Sequence, residues 1–402
     1  MSKKIIKGLS KWALVKDFTA RIGKVNAAAD TKVPELDSYP QNVLKERLHP
    51  DVQHLTVVEI IPHGKDVKTF VFAPDKEEGT ERLGYFSAGQ YIVISVKVGE
   101  ATITRPYSLS SSPKESLENK YSLTIKRVGG GLCSEYALDN WTIGTKVLAS
   151  SAMGTFTYEP LRDAKHIVGI AGGSGITPFF SLAKAIADGD EDCSLTLLYG
   201  SRTKSDILFY DEFVEIMKKT DKFKLINVLS NEEADDCEKG FVTAELIAKY
   251  APSGEYSIFV CGPQAMYDFV DKEIAKLGLR RKFIRHELFG EYHNPEKNAD
   301  YPQEFVGKTF KITVKTRDEE RVIEASANDT LLRAMEKNGI AAPADCRSGV
   351  CGFCHSKLLA GDVYVPKTVD GRRLADFEYG YVHPCVTFPI SDVKIEVFPL
   401  LK

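Results

Sequence analysis

The 402-residue sequence contains no run of 18 apolar residues, so nothing in it reads as a membrane-spanning helix. Charge of either sign is also not in excess. With 53 basic against 56 acidic residues the formal net charge is -3, which leaves no global basic field and speaks against nucleic acid as a ligand. Internal repeats and low-complexity tracts are missing too, which sets aside solenoids and disordered arrays. No secretory leader is visible, and the expectation is a reducing, cytoplasmic setting in which the eight cysteines form no disulfide framework. Some of those cysteines must then have another use.

What is present is enough apolar residue, 43%, for two or three cores, with 27% charged residues to cover them. Residues 1–50 form a basic extension. Lys3, Lys4, Lys7, Lys11, Lys16, Arg21 and Lys24 surround Ile5, Ile6, Leu9, Trp12 and Leu14, the pattern of an amphipathic helix. The favoured reading is a helix packed on its own domain with a solvated lysine face; contact with an anionic membrane surface or an acidic partner is the alternative. Residues 51–160 carry six short β-rich runs, LTVVEII, VKTFVFA, QYIVISVKV, TITRPYSL, YSLTIKRV and TKVLASS, which predict an antiparallel six-stranded barrel. Over 161–289 the runs HIVGIAG, SLTLLYG, KFKLINVLS, YSIFVCG and KFIRHEL alternate with helical stretches such as PFFSLAKAIA, predicting a parallel α/β sheet. Residues 290–304 are polar with two prolines and read as a linker. A last domain, 305–402, opens with the strand-like KTFKITVKT.

The most specific pattern is Cys346, Cys351 and Cys354 with Cys385 some thirty residues on. C-x4-C-x2-C…C is the plant-type [2Fe-2S] spacing, in which four thiolates hold two irons. A structural zinc site usually pairs two short C-x2-C hooks, whereas here one side is a three-cysteine loop. His355 and His383 adjoin the ligands, but with all four cysteines present they read as neighbours rather than Rieske ligands. Cys133, Cys193 and Cys237 read as ordinary thiols.

Arg105-Pro106-Tyr107-Ser108 closes the fourth β-rich run and resembles the R-x-Y-S flavin signature of the ferredoxin–NADP reductase family. A guanidinium suits a flavin phosphate, a tyrosine ring can lie against the isoalloxazine, and a serine hydroxyl can bond its N5 region. The resemblance continues at Gly130-Gly131-Leu132-Cys133-Ser134, where Gly131 and Ser134 match a G-x-x-S element that holds the flavin diphosphate at a helix start. It implies that Ile125, Lys126 and Arg127 flank the adenosine of FAD, with FMN as the alternative. Ser108 would act at the reacting edge of the flavin.

HIVGIAGGSGITP places Gly172, Gly173 and Gly175 between a strand and the helix starting near Pro178, where a doubly wound sheet meets a diphosphate. It resembles the family's G-G-x-G-x-T-P element, which sets Thr177 near the nicotinamide. Cys261-Gly262-Pro263 matches the C-G-P element, which implies that Cys261 borders the hydride path. Phe289, in HELFG, is the matching candidate for an aromatic shield on the flavin. For the choice of NADH or NADPH, Ser201 and Arg202 could clasp a 2′-phosphate, but Ser230-Asn231-Glu232-Glu233 brings two carboxylates that would repel one. That favours NADH.

The resemblance spans about residues 51–400 in the order flavin barrel, nucleotide domain, β-grasp-like [2Fe-2S] ferredoxin domain. It implies an NAD(P)H-dependent reductase that passes hydride to FAD and then single electrons through the cluster to a partner: an oxygenase, a hybrid-cluster protein or another iron–sulfur enzyme. A flavin diaphorase with a structural cluster, and a zinc-holding binding module, are the competing readings.

Overall fold

The computed structural model describes residues 11–28, 39–98, 101–288 and 290–398. Phe289 and the basic and apolar residues before position 11 therefore lie outside the described residues. The chain divides into two compact units, Met1–Glu46 and Arg47–Lys402. The first contains helix α1 (Lys11–Ala28) and most of α2 (Pro40–Leu48). Of the apolar set expected to pack, Ile5, Ile6 and Leu9 and the side chains of Trp12 and Leu14 lie outside the described residues. Val15, Phe18, Ile22 and Val25, which follow one another at helical spacing, are all exposed, and α2 buries no residue.

The second unit holds three main sheets. Strands β1 (Gln53–Pro62), β2 (Val67–Pro74), β3 (Tyr91–Val98), β4 (Ala101–Ser108), β5 (Tyr121–Lys126) and β6 (Lys146–Ala149) form an antiparallel sheet of order β4-β3-β6-β1-β2-β5. A bridge from Leu109 to Leu123 joins the β4 and β5 edges, so the sheet curls upon itself as a six-stranded barrel expects. Alternate side chains point inward: Leu55, Val57, Phe70, Phe72, Leu123 and Ile125 are all fully buried around Trp141, each contributing about 1.5–3 kcal/mol of apolar transfer. Short α3 (Pro113–Leu117) is started by a capping box between Ser112 and Glu115, and α4 (Leu132–Asn140) starts from Gly131.

Next come β7 (His166–Gly172), α5 (Thr177–Asp188), β8 (Ser194–Ser201), α6 (Tyr210–Lys219), β9 (Phe223–Leu229), β10 (Glu238–Lys239), α7 (Ala244–Tyr250), β11 (Ser257–Cys261), α8 (Gln264–Ala275) and β12 (Ile284–Glu287). The six strands are all parallel, in the order β10-β9-β8-β7-β11-β12. The order reverses beside β7, and its carboxyl end is where such a sheet collects ligands. Ser181 of α5 donates to the Ser111 carbonyl at 2.6 Å, and Lys184 pairs with Glu115 at 2.5 Å; these bonds fix the sheet against the barrel.

The last sheet, β14 (Glu319–Ser326), β13 (Thr309–Thr316), β19 (Val393–Glu396), β15 (Ser356–Ala360) and β17 (Tyr381–Val382) in spatial order, is crossed by α9 (Leu331–Lys337). That is the β-grasp pattern expected of a ferredoxin domain. A small ribbon of β16 (Val363–Tyr364) and β18 (Phe388–Pro389) and helix α10 (Leu374–Glu378) complete it. Residues 290–304, read from sequence as a linker, are tied to this side of the molecule. Tyr301 is buried and donates to the Ala327 carbonyl, and Asn298 bonds both Tyr292 and Tyr364. The segment has no apolar period because scattered tyrosines, rather than a regular face, anchor it.

Candidate active site

Strand β4 and the turn before α4 wall a cleft of about 570 Å³ that contains Arg105, Tyr107, Ser108, Lys126, Gly131, Ser134 and Thr177. The sequence scatters these residues over three segments; the Leu109–Leu123 bridge between the β4 and β5 edges and packing of α4 and α5 bring them together. Ser134 Oγ accepts from the Val128 amide at 3.2 Å and donates to the Gly131 carbonyl at 3.4 Å, which tightens the turn. Gly130 has φ +72°, a left-handed conformation that glycine adopts without strain. A diphosphate fits this donor set: a helix start and Lys126 face one cleft together with Arg105, whose guanidinium also pairs with Glu291 at 3.0 Å and Glu336 at 3.4 Å. Burial, and then the Cys133 thiol, push the Tyr107 phenol well above its ordinary pKa, so it remains a neutral donor and a flat apolar face.

Other expected flavin contacts fall elsewhere. Ile125 is fully buried in the barrel core, because it occupies an inward position of β5; only its backbone is left for a ligand. Arg127 points away, bonded to Asp66 at 3.1 Å and bidentate to Asp139 at 3.1 and 2.6 Å.

At the carboxyl end of β7, Gly172, Gly173 and Gly175 lead through one turn of tight helix into α5, whose first residues are Thr177 and Pro178. Lys126 Nζ stands over Gly173, at 3.8 Å from where a Cβ would lie, so flavin and nucleotide segments meet there. A Cβ on Gly175 would run into the Cys261 carbonyl, and one on Gly172 into Met266 and Pro263. The glycines thus let the G-G-x-G turn and the Cys261-Gly262-Pro263 turn touch backbone to backbone. Cys261 is buried, and burial followed by Glu287 keeps its thiol protonated, far above the usual range. Ser201 ends β8, while Arg202 is exposed and paired with Asp206 at 3.2 Å; neither borders the cleft.

Sequence reasoning missed Glu287. It ends β12 directly beside Cys261, and burial, then the Cys346 thiol, push its carboxyl up to about 8. A lone glutamate in HELFG carries no visible signal; only strand register brings it to the thiol.

In the ferredoxin domain the four expected thiols stand two and two. Cys354 and Cys385 have their sulfurs 3.4 Å apart, and Cys351 bonds Cys346, which with help from Ser348 lowers the Cys346 pKa. Amides of Ser348 and Cys351 point at Cys346 Sγ at 3.5 and 3.4 Å, and that of Phe353 at Cys351 Sγ at 3.4 Å. No three His, Cys, Asp or Glu side chains among the described residues converge on a point that one ion could hold. Two pairs of thiols with inward amides fit a dinuclear cluster instead. His355 bonds Asp376 at 2.7 Å and His383 bonds the Gly349 carbonyl at 2.8 Å. Cys351 is exposed while the other three ligands are buried, and Val350 and Phe353 beside it are also exposed.

The architecture defines a flavin- and iron–sulfur-dependent NAD(P)H oxidoreductase, and comparison with known proteins agrees. Residues 54–158 match the family model of the oxidoreductase FAD-binding domain, 170–272 that of the oxidoreductase NAD-binding domain, and 314–389 that of the 2Fe-2S iron-sulfur cluster binding domain. Together they cover more than half of the chain. NADH oxidoreductase HCR of Escherichia coli is 29% identical over 77% of this chain and 88% of its own length. The glycine betaine monooxygenase reductase subunit of Chromohalobacter salexigens is 26% identical over 84% and 94%. Phthalate dioxygenase reductase has the same fold, with a TM-score of 0.62 at 22% identity over 87% of this chain and 98% of that one. The chain belongs to the ferredoxin–NADP reductase family, in its single-chain form with a C-terminal ferredoxin domain. It is an electron-transfer enzyme that takes hydride from NAD(P)H onto FAD and passes single electrons through a [2Fe-2S] cluster to a redox partner.

Proposed function

We propose that this chain is the NADH-preferring reductase component of an oxygenase system. The observation that carries the relay is the seating of the cluster loop on the flavin strand: Thr104 Oγ1, next to Arg105, donates to the carbonyl of Ala344, two residues before Cys346, at 3.2 Å. Bound FAD supplies the exchange between a two-electron donor and one-electron acceptors. Around it Arg105, Lys126, Gly131 and Ser134 would hold phosphates, Tyr107 would cover the ring, and Ser108 would meet its N5 edge. Thr177, Cys261 and the glycines at 172, 173 and 175 would place the nicotinamide, with Pro178, Gly262 and Pro263 shaping the two turns. Glu287, with its carboxyl pushed up to about 8 by burial and then by Cys346, would keep its proton at neutral pH beside Cys261.

Carboxylates support the choice of NADH. Asp206 occupies Arg202, Asp236 holds Lys204 Nζ at 2.9 Å, and Glu232 takes the Lys204 amide at 2.7 Å. A 2′-phosphate arriving at this edge meets cations already paired and the carboxylate of Glu232, whose bond to a neutral amide leaves its charge uncancelled. An oxygenase as acceptor is supported by the relatives named as monooxygenase reductase subunits and by the exposed rim of Val350, Cys351 and Phe353. A cytoplasmic setting is supported by eight free cysteines, and no described helix is long and apolar enough to cross a membrane.

An anaerobic titration tests the reading. NADH should bleach a flavin band near roughly 450 nm and then produce a paramagnetic reduced cluster, with NADPH far slower. A colourless protein, or a yellow one whose iron NADH never reduces, would end it. The acceptor is identified by which purified oxygenase the reduced protein turns over.

A further inference from the structure

One side chain of the cluster loop is not spent on the cluster. Arg347 follows the ligand Cys346, takes the left-handed φ of +58° that side chains other than glycine rarely adopt, and has a fully buried guanidinium. Its Nε donates to the Thr104 carbonyl of β4 at 2.6 Å, and its Nη2 lies 3.5 Å from Thr104 Oγ1. Its other bonds go to Glu291, in the segment entering the ferredoxin domain, and to Glu336 of α9. Both carboxylates also pair with Arg105, at 3.0 Å from Glu291 and 3.4 Å from Glu336. Two arginines and two glutamates therefore close a charge-balanced network across four elements: the flavin strand, the connecting segment, the ferredoxin helix and the cluster loop.

We propose that Arg347 is a positioning residue that latches the cluster loop onto the flavin strand and so sets the rate at which an electron crosses from flavin to cluster. Docked and undocked arrangements differ in how these charges are paired. If the ferredoxin domain lifted off β4, Arg347 would lose Thr104, and Glu291 and Glu336 would be left to share the single cation of Arg347. A buried charge stripped of a partner is strongly disfavoured, so the docked arrangement is the one the network selects. The loop's left-handed backbone at Arg347 directs the guanidinium to those partners. Tunnelling falls steeply with distance, so a latch at this place acts on the internal step and not on hydride uptake. The inference rests on the flavin-to-cluster reading above.

The test uses the full-length holoprotein and two variants, Arg347→Lys, which cannot form the bidentate fork, and Glu336→Gln, which lies on α9 away from the ligands. Flavin bleaching by NADH should keep its wild-type rate in both. Appearance of the reduced-cluster signal in freeze-quenched samples should slow about tenfold, the shift expected when one charge-assisted hydrogen bond is lost from the docked state. Trypsin cleavage of the oxidised protein after Lys297, an exposed residue of the connecting segment, should speed up by a similar factor, because loss of the Glu291 ion pairs frees the segment's backbone to enter the protease. Wild-type rates of both cluster reduction and cleavage, in protein that keeps its iron and flavin, overturn the latch. Slow cluster reduction with unchanged cleavage also overturns it, since that places the effect in the cluster's potential. If Arg347→Lys sheds iron, Glu336→Gln alone decides. A preparation with no flavin or iron sinks the relay reading instead.

Discussion

The molecule opens glycine-rich loops in two regions, and the two use the freedom differently. In the flavin and nucleotide half, Gly130, Gly131, Gly172, Gly173 and Gly175 make room so that backbone N–H groups and a helix start can face an anion. In the ferredoxin half, Gly349 and Gly352, with φ +80° and +72°, bend a loop so that four thiols and their amide donors turn inward. The first site is built from main chain and the second from side chains. A main-chain site should tolerate many side-chain changes but no added Cβ where backbones touch. A side-chain site should fail on loss of one ligand and respond less steeply to changes in its outer partners.

The largest expected effect is therefore at a ligand. Cys351→Ser removes one of four thiolates, and since even outer partners of a metal ligand are worth 10–100-fold, turnover with the protein acceptor should fall by more than about a hundredfold. NADH-driven ferricyanide reduction, which needs only the flavin half, should persist. Turnover of the physiological acceptor at the wild-type rate would mean that the cluster is structural and that the two regions are not in series.

The matching change in the main-chain region is Gly175→Ala. Its Cβ would overlap the Cys261 carbonyl and the Gly262 amide, and neither is the flexible end of a side chain. Overpacking of about 1–3 kcal/mol should weaken NADH binding by roughly ten- to a hundredfold, leaving flavin content and the cluster signal unchanged. Calorimetric titration with NAD+ checks it; unaltered affinity would show that the two turns do not need to meet.

The same contrast explains what could be read from the sequence. Four cysteines at C-x4-C-x2-C…C spacing carry their chemistry in their letters, and strand and helix periods place three sheets where the β-rich runs fall. Glycine turns could be assigned only through neighbouring context. The burial of the Ile125 side chain was not legible because a strand's inward and outward positions alternate and a motif gives no phase. The ion pairs of Arg127 were not legible because Asp66 and Asp139 reach it from distant positions. Glu287 and Arg347 were invisible for a further reason: each acquires its role from residues brought to it by register or domain packing. The apolar positions of α1 fit a helical period without saying whether anything would cover them.

Glu287 gives the smallest effect and the finest test, because it lies where the two regions meet: beside Cys261 in register and near Cys346, the second cause of its raised pKa after burial. Its folded value of about 8 stands above the ordinary 4.5, so an unfolded chain releases this proton first as pH rises. The stability it contributes is complete below about pH 4.5, declines above that value, and is lost once pH passes about 8. Each pH step of one between those two values is worth about 1.4 kcal/mol, so the loss is on the order of a few kcal/mol. Glu287→Gln has no proton to release, so its melting temperature should fall less between those limits than that of the parent, measured with flavin and cluster loaded. Parallel pH profiles for the two proteins would mean that the carboxyl is solvated, and that the thiol pocket of the nucleotide half does not feel the charge of the ferredoxin half.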